Sequence, residues 1–273
     1  MPEHLSEAVV IAQLTDPHLF ADPAATLLGI NTNDNLQGVL EHLQRHSRGP
    51  EHLLATGDLT QDGSPEGYAR FLRMARQLQL PVHALPGNHD DRAVFHHVLG
   101  SVAAPVVELL HWRIVLLDST IPGESGGHLG EDQLALLDAL AQADDPRHVL
   151  LAMHHSPISL RSAWLDTMVI DNSAAFFAQL ARYPQVRALL WGHVHQAYDG
   201  SLPLPHHGGS RTLRLMATPA TCFQFRPGSQ DFSLDTVAPG YRWLTLHADG
   251  TIETEVVRVP DLTQTPDLSS QGY

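Results

Sequence analysis

The chain has 273 residues, of which 43% are hydrophobic, and 30 acidic residues against 16 basic ones give it a formal charge of −14. That length fits one large domain or two small ones, and the negative charge disfavours tight binding along a nucleic acid backbone. No apolar stretch is long enough to span a membrane and residues 1–7 lack the features of a signal peptide, so we expect a cytoplasmic protein with no membrane and no nucleic acid partner.

The first two thirds of the chain alternate between short apolar runs and segments of helical periodicity. The runs predict strands at residues 9–14, 52–56, 82–85, 106–110, 113–117, 149–153 and 186–191. The periodic segments predict helices at residues 34–46, 65–78, 131–143 and 173–182, and Ser64 is the expected N-cap of the second.

The last third has a different pattern. Residues 210–258 predict short strands joined by turns at Pro227-Gly228, Pro239-Gly240 and Asp249-Gly250, and residues 260–273 form a tail rich in Pro, Ser and Thr. The order of elements predicts a mixed α/β sandwich. No flexible linker interrupts the sequence, so we expect a single domain over residues 1–259, followed by the tail.

Histidine is unusually frequent, with 19 copies, whereas Cys222 is the only cysteine. A single cysteine cannot form an intramolecular disulfide, and we expect Cys222 to be a small buried hydrophobic residue rather than a nucleophile. Sequence position must separate functional histidines from surface ones. We expect the following to be solvated: His4, His42, His46, His52, His206 and His207.

Five short polar motifs each follow a predicted strand. They are Asp16-Pro17-His18, Gly57-Asp58, Gly87-Asn88-His89-Asp90, His154-His155 and Gly192-His193-Val194-His195. Each motif alone is more typical of an ordinary turn or of solvated side chains than of a site. Because the carboxyl ends of strands in an α/β sheet converge, their joint occurrence favours one shared site.

The spacing within the motifs suits two metal ions. Asp16 and His18 are two residues apart in a loop, so both side chains could reach one ion. The two oxygens of Asp58 could bridge two ions. His193 and His195 are also two residues apart and could serve one ion each.

The ligand chemistry narrows the choice of metal. The neutral amide of Asn88 suits a site already rich in negative charge, and the absence of thiolate excludes a cysteine-rich structural zinc site. Mixed nitrogen and oxygen ligands fit Mn²⁺, Fe, Zn²⁺ or Co²⁺. Two such ions lower the pKa of a water held between them and stabilise the oxyanions of a phosphoryl transition state.

The five motifs resemble the signature of the calcineurin-like metallophosphoesterases, and further segments are similar to the bacterial class III cyclic AMP phosphodiesterases. The likeness covers nearly the whole chain. Outside the motifs it rests on Leu28-Gly29-Ile30-Asn31-Thr32, Trp164-Leu165-Asp166, residues 218–225, residues 234–240 and Gly272-Tyr273. The resemblance implies a four-layer αββα sandwich with a dinuclear metal site at the carboxyl ends of the strands.

The resemblance also implies a role for each motif residue. One ion would be held by Asp16, His18, Asp58 and His195, and the other by Asp58, Asn88, His154 and His193. His154 is implied rather than His155, because the family pattern His-His-x-Pro uses its first histidine. His89 would be the catalytic group facing the phosphate, and the implied substrate-binding residues are His18, Asp58, Asn88, His89 and His195. The two ions would be divalent or of mixed valence, with iron and manganese favoured over zinc, cobalt and magnesium.

The implied reaction is hydrolysis of 3′,5′-cyclic AMP to 5′-AMP, which would lower cellular cyclic AMP. A hydroxide bridging the ions would attack phosphorus, and His89 would protonate the departing 3′-oxygen or stabilise the phosphate. Three alternatives stay open: another cyclic nucleotide, another phosphodiester, or a catalytically weak protein-binding scaffold of the same fold. The motifs do not indicate the oligomeric state.

Two features of the implied site stay undefined. Many relatives carry an aspartate three residues after the bridging one, where this chain has Gln61 followed by Asp62, so the group that orients His89 is open. The motifs do not indicate which residues recognise the base of the substrate. The candidate segments for this recognition are residues 20–33, 156–171 and 223–226, in which Trp164, Phe223 and Phe225 could stack on a purine or pack in the core.

Overall fold

The computed structural model describes residues 8–46, 48–142, 145–206, 208–262 and 264–272. The helices are α1 (Thr32–Arg45), α2 (Pro65–Ala75), α3 (Arg92–Leu99), α4 (Glu131–Gln142) and α5 (Ser173–Leu180). The strands are β1 (Ala8–Leu14), β2 (Thr26–Leu27), β3 (Ile30–Asn31), β4 (His52–Thr56), β5 (Val82–Leu85), β6 (Val106–Glu108), β7 (Trp112–Leu116), β8 (His148–Met153), β9 (Val186–Trp191), β10 (Tyr198–His206), β11 (Gly209–Ala217), β12 (Gln224–Phe225), β13 (Leu234–Asp235), β14 (Gly240–His247) and β15 (Ile252–Arg258).

Two large sheets carry the fold. The first has the order β15-β14-β1-β4-β5, with β1, β4 and β5 parallel and β14 antiparallel to β1. The second has the order β10-β11-β9-β8-β7-β6, with parallel strands from β11 to β7 and antiparallel edges. Parallel strands connected by helices bury both faces of a sheet, which explains their continuous apolar runs.

Three apolar layers hold the elements together. Helices α1, α2 and α3 pack on the outer face of the first sheet, and α4 and α5 pack on that of the second. Between the sheets lies a core that includes Ile11, Leu54, Ile114, Leu150, Leu190 and Leu244. Burying one such side chain stabilises the fold by about 1.5–3 kcal/mol. The predicted four-layer αββα sandwich is confirmed.

Most predicted elements are confirmed, and the strands at residues 52–56, 82–85 and 186–191 have the predicted bounds. Helix α2 is capped by the Ser64 hydroxyl, which accepts from Gly67 N. It stops at Ala75, and a 3₁₀ turn completes the predicted segment. The end of the predicted helix 131–143 lies outside the described residues.

Several elements differ from the sequence prediction. Helix α3 and strands β2, β3 and β10 were not predicted. Strands β11, β14 and β15 have 9, 8 and 7 residues, so the expectation of short strands in the last third is wrong for these three, whereas β12 and β13 have two residues each. Strand β14 pairs with β1 from Ala8 to Gln13, and β11 forms a long hairpin with β10.

The C-terminal tail contacts the loop before α1. Gln264 exchanges hydrogen bonds with the backbone of Asn31, and Asp267 N donates to Leu28 O. Leu262 packs against the backbone at Gly38, where an added Cβ would lie 2.3 Å from its Cδ2 atom. Residues 263 and 273 of the predicted tail lie outside the described residues. The division into a domain and a tail stays a prediction.

Three histidines expected to be solvated are half-buried and contact other rings: His42, His46 and His52. His52 Nδ1 lies 3.0 Å from His83 Nε2 on the neighbouring strand. The surface prediction is therefore wrong at these positions. His4 and His207, and the side chain of His206, lie outside the described residues. Over the described part of the chain, no helix is both long enough and apolar enough to cross a bilayer.

Candidate metal centre and active site

Loops after β1, β4, β5, β8 and β9 meet at one edge of the sandwich and carry the five motifs. Five of the motif residues have a left-handed backbone: Asp16 (φ 54°), His18 (φ 47°), Asp58 (φ 50°), His193 (φ 63°) and His195 (φ 47°). This conformation is uncommon outside glycine, and it persists where the surrounding structure enforces it. Strained turns at every one of these positions point to a functional constraint on where the side chains are held.

Glycines let these loops approach one another. A Cβ at Gly57 would lie 2.2 Å from His154 Nδ1, and one at Gly192 would lie 2.0 Å from Thr15 Oγ1. At Gly87 the nearest backbone atom would be Asp58 N, at 2.4 Å. No side chain fits at such distances, so the glycines of the motifs allow the polar side chains to converge.

The first group of donor atoms surrounds the Asp16 carboxylate. Asp16 Oδ1 lies 3.3 Å from His195 Nε2 and 3.9 Å from His18 Nε2. His18 Nε2 also lies 3.7 Å from Asp58 Oδ2. All four side chains are buried. They are the four residues predicted to hold one ion.

The second group surrounds His154. Its Nε2 atom lies 3.2 Å from Asp58 Oδ2 and 3.1 Å from Asn88 Oδ1. Donor atoms of Asp58, His154 and His193 all lie within 4.8 Å of one another. Asp58 thus belongs to both groups, which is the position a bridging carboxylate needs.

The outer nitrogens of three histidines are fixed by hydrogen bonds. His195 Nδ1 lies 2.8 Å from Phe223 O, and His154 Nδ1 lies 2.9 Å from Thr56 O, so each ring donates from Nδ1 and its Nε2 atom faces the cluster of donors. His18 Nδ1 lies 2.7 Å from Gln61 Oε1. Gln61, which departs from the family pattern, therefore orients His18.

The electrostatics favour metal-binding protonation states. Burial raises the pKa of Asp58, but His154, His89 and His18 outweigh burial and hold that pKa well below its usual range. Burial lowers the pKa of His193 well below its usual range and that of His18 to about 3. His154 differs, because Asp58 outweighs burial and raises its pKa to about 9. Metal ions bind ionised carboxylates and neutral imidazoles, so a cation would replace the His154 proton.

An unpartnered nitrogen provides a further test of fit. Within the described residues, His193 Nε2 is buried and has no hydrogen-bond partner. A buried polar atom left in this way is costly unless an ion or water satisfies it. Carboxylate, amide and imidazole donors converge on the same space, so the residues present fit metal ions.

The structure therefore brings all seven predicted metal ligands into one cluster, although their roles as ligands stay predictions. His89 also has a donor atom within 4.8 Å of those of His18 and Asp58, so geometry alone does not exclude it as a ligand. His155 lies outside these donor groups, and its Nδ1 lies 2.8 Å from Ser119 Oγ. Cys222 is buried as predicted; its Sγ lies 4.0 Å from His195 Nδ1 and forms, with donor atoms of His18 and His195, a group within 4.8 Å.

Asp90 is a residue of the site that the sequence analysis left without a role. Its carboxylate accepts hydrogen bonds from Leu59 N, Thr60 N and Gly87 N, at 2.8 to 3.1 Å. It therefore ties the loop that carries Asp58 to the loop that carries the Asn88 motif. Burial, and then the charge of Asp58, raise the pKa of Asp90 to about 7. In the sequence, the only indication of this role of Asp90 is that it ends the Gly-Asn-His-Asp motif.

An open cleft of about 480 Å³ adjoins the cluster. Asn88, His89 and His193 lie along it, together with Trp164 and Met168 from one of the three segments proposed for base recognition. Phe223 and Phe225 are each 2% exposed. Their rings stack on His18 and His195, so these two aromatics pack in the core.

Fold and site together define a two-sheet α/β protein with donors for metal ions at the carboxyl edge of its strands. A family model described as calcineurin-like phosphoesterase matches residues 9–197. The chain therefore belongs to the calcineurin-like phosphoesterase family.

Curated relatives match over nearly their full length. The 3′,5′-cyclic adenosine monophosphate phosphodiesterase CpdA of Pseudomonas aeruginosa is 43% identical, over 97% of this chain and 96% of the relative. The protein of the same name from Escherichia coli K12 is 41% identical, over 97% and 95%. A 3′,5′-cyclic-nucleotide phosphodiesterase of Nostoc is 36% identical, over 92% and 93%.

Solved structures share the fold at low sequence identity. A dimetal phosphatase from Danio rerio has a TM-score of 0.61 at 15% identity, over 92% of this chain and 98% of that one. A purple acid phosphatase from yellow lupin has a TM-score of 0.56 at 12% identity, over 93% and 54%. At such identities the likeness concerns the fold alone.

Proposed function

We propose that this protein hydrolyses 3′,5′-cyclic AMP to 5′-AMP and so lowers cellular cyclic AMP. The observation that carries the proposal is the 43% identity to a cyclic AMP phosphodiesterase over 97% of this chain. The convergence of all five motifs at one sheet edge supports it, because every predicted donor is present. The absence of an apolar spanning helix in the described residues and the single free Cys222 accord with a cytoplasmic enzyme.

Two ions of iron or manganese would be held by the two donor groups. Asp16, His18, Asp58 and His195 would bind one, and Asp58, Asn88, His154 and His193 the other. When bound, the ions supply Lewis acidity toward the phosphate oxygens and a water of lowered pKa. The backbone hydrogen bonds to His154 Nδ1 and His195 Nδ1 keep the opposite nitrogens aimed at the ions.

His89 is the proposed catalytic residue. It lines the cleft, and its ring centroid is 5.0 Å from that of His18. The backbone nitrogen of His89 donates to Asp58 Oδ1 at 2.9 Å, which fixes the loop beside the metal centre. The 3′-oxygen leaves as a basic alkoxide, so a proton delivered by the His89 imidazole assists its departure.

The testing experiment couples metal analysis to turnover. Freshly purified protein would be assayed with cyclic AMP, cyclic GMP and a chromogenic diester, and the products would be separated by chromatography. We expect about two ions per chain, 5′-AMP as the product, and the highest kcat/KM with cyclic AMP. Protein with two bound ions that does not hydrolyse cyclic AMP would overturn the proposal in favour of another phosphodiester. Hydrolysis after complete removal of metal would overturn the metal assignment.

A further inference from the structure

One wall of the cleft beside the metal centre is aromatic and rigidly held. It consists of Trp164, Phe232 and Met168. The ring centroids of Trp164 and Phe232 are 5.2 Å apart, and the indole nitrogen donates to Ser229 Oγ at 3.0 Å. These three side chains are only partly buried, so the wall presents apolar surface to the cleft. A hydrogen-bonded indole loses little conformational freedom when a flat ring stacks on it.

The same cleft also carries a negative charge. Glu124 and Ser125, on the loop between β7 and α4, line it and are exposed. A carboxylate repels the phosphate of an anionic substrate. Glu124 is therefore not a group that holds the phosphate.

We propose that the aromatic wall is the base subsite, in which adenine stacks on Trp164 and Phe232. The inference rests on the proposed function and assigns the residues that bind the base.

The dimensions of the cleft agree with this arrangement. Its volume of about 480 Å³ falls in the range of small-molecule sites, about 300–1,000 Å³. Asn88, His89 and His193 mark the end where the phosphate would react. The aromatic wall lines the same cleft, so it is within reach of the base of a nucleotide whose phosphate lies at that end. Phe223 and Phe225 are excluded as the stacking surface because both are buried.

The proposal is tested with Trp164→Ala and Trp164→Phe. The substrates are cyclic AMP and a ribose 3′,5′-cyclic phosphate that lacks the base. Since stacking on an aromatic side chain strengthens base binding substantially, Trp164→Ala should lower kcat/KM for cyclic AMP about 5- to 100-fold, mainly through KM. Trp164→Phe should lose less, and both variants should process the baseless phosphate like the wild type. Equal losses on both substrates would overturn base stacking.

Glu253→Gln, an exposed glutamate on β15, is the control variant and should keep the wild-type kcat/KM on both substrates. Wild-type protein that binds two ions and does not hydrolyse cyclic AMP would instead overturn the proposed function itself.

Discussion

The His154 imidazole lies 3.2 Å from the Asp58 carboxylate, and both side chains are buried. Asp58 raises the pKa of His154 to about 9, although burial alone would lower it. A cation placed between the two groups would satisfy the same carboxylate and release the proton from the ring. Asp58 belongs to both groups of donor atoms and therefore links them.

Asp58→Ala should remove most of the bound metal at both positions, because this carboxylate is shared by the two donor groups. Metal content per chain, measured by mass spectrometry on the purified variant, checks the prediction. Asp132→Ala, an exposed acid in the first turn of α4, is the control and should keep the wild-type content. Two retained ions in Asp58→Ala would contradict the bridging role.

His89→Ala should keep its metal and lose cyclic AMP turnover about 10²- to 10⁴-fold, the usual effect of removing a positioned acid or base. His89 has a donor atom near those of His18 and Asp58, so metal analysis must accompany the kinetics. Loss of an ion would identify His89 as a ligand instead. His97→Ala, on the exposed face of α3, should leave both quantities unchanged.

The sequence predicted the cluster of donors because strand ends and motif order suffice to place residues at one edge of a sheet. It did not predict the role of Asp90, since a carboxylate that binds backbone nitrogens of two separate loops is defined only by tertiary structure. Helix α3 was missed because it is short, with Phe95 and Leu99 as its buried contacts and two exposed histidines in its last turn. Trp164, one of the sequence candidates for stacking, lines the cleft, and its role there stays a prediction. Its partner Phe232 comes from a loop whose position no local pattern reveals.

Gly192→Ala should destabilise the fold by about 1–3 kcal/mol, the usual cost of overpacking. The new Cβ would lie 2.0 Å from Thr15 Oγ1 and 2.9 Å from Thr56 O, and the backbone atom cannot rotate away. Urea unfolding with a chelator present separates this effect from metal loss. Gly126→Ala, whose Cβ would meet atoms only at 3.9 Å, should stay within about 0.5 kcal/mol of the wild type. Equal stabilities of the two variants would show that the motif glycine is dispensable for packing.

The contact between His52 and His83 should make stability depend on pH. Burial, and then His52, lower the pKa of His83 from 6.5 to about 4. Their 3.0 Å hydrogen bond needs one ring nitrogen as donor and the other as acceptor, so adding a second proton breaks it. Between about pH 4 and pH 6.5 the unfolded chain binds the His83 proton more tightly than the folded protein does. The contribution of this pair to the free energy of unfolding is therefore fully present above about pH 6.5 and is lost as pH falls toward about 4.

His83→Gln removes this titration and should lose less stability than the wild type between about pH 7 and about pH 5. Urea midpoints at the two pH values measure the difference. His52 still titrates in the variant, with its own pKa lowered by burial, so the pH dependence should shrink rather than vanish. The exposed His97→Gln variant should keep the wild-type pH dependence, because His97 is not part of the half-buried pair of His52 and His83. If His83→Gln and the wild type lose stability equally, the pair does not contribute to the acid sensitivity of the fold.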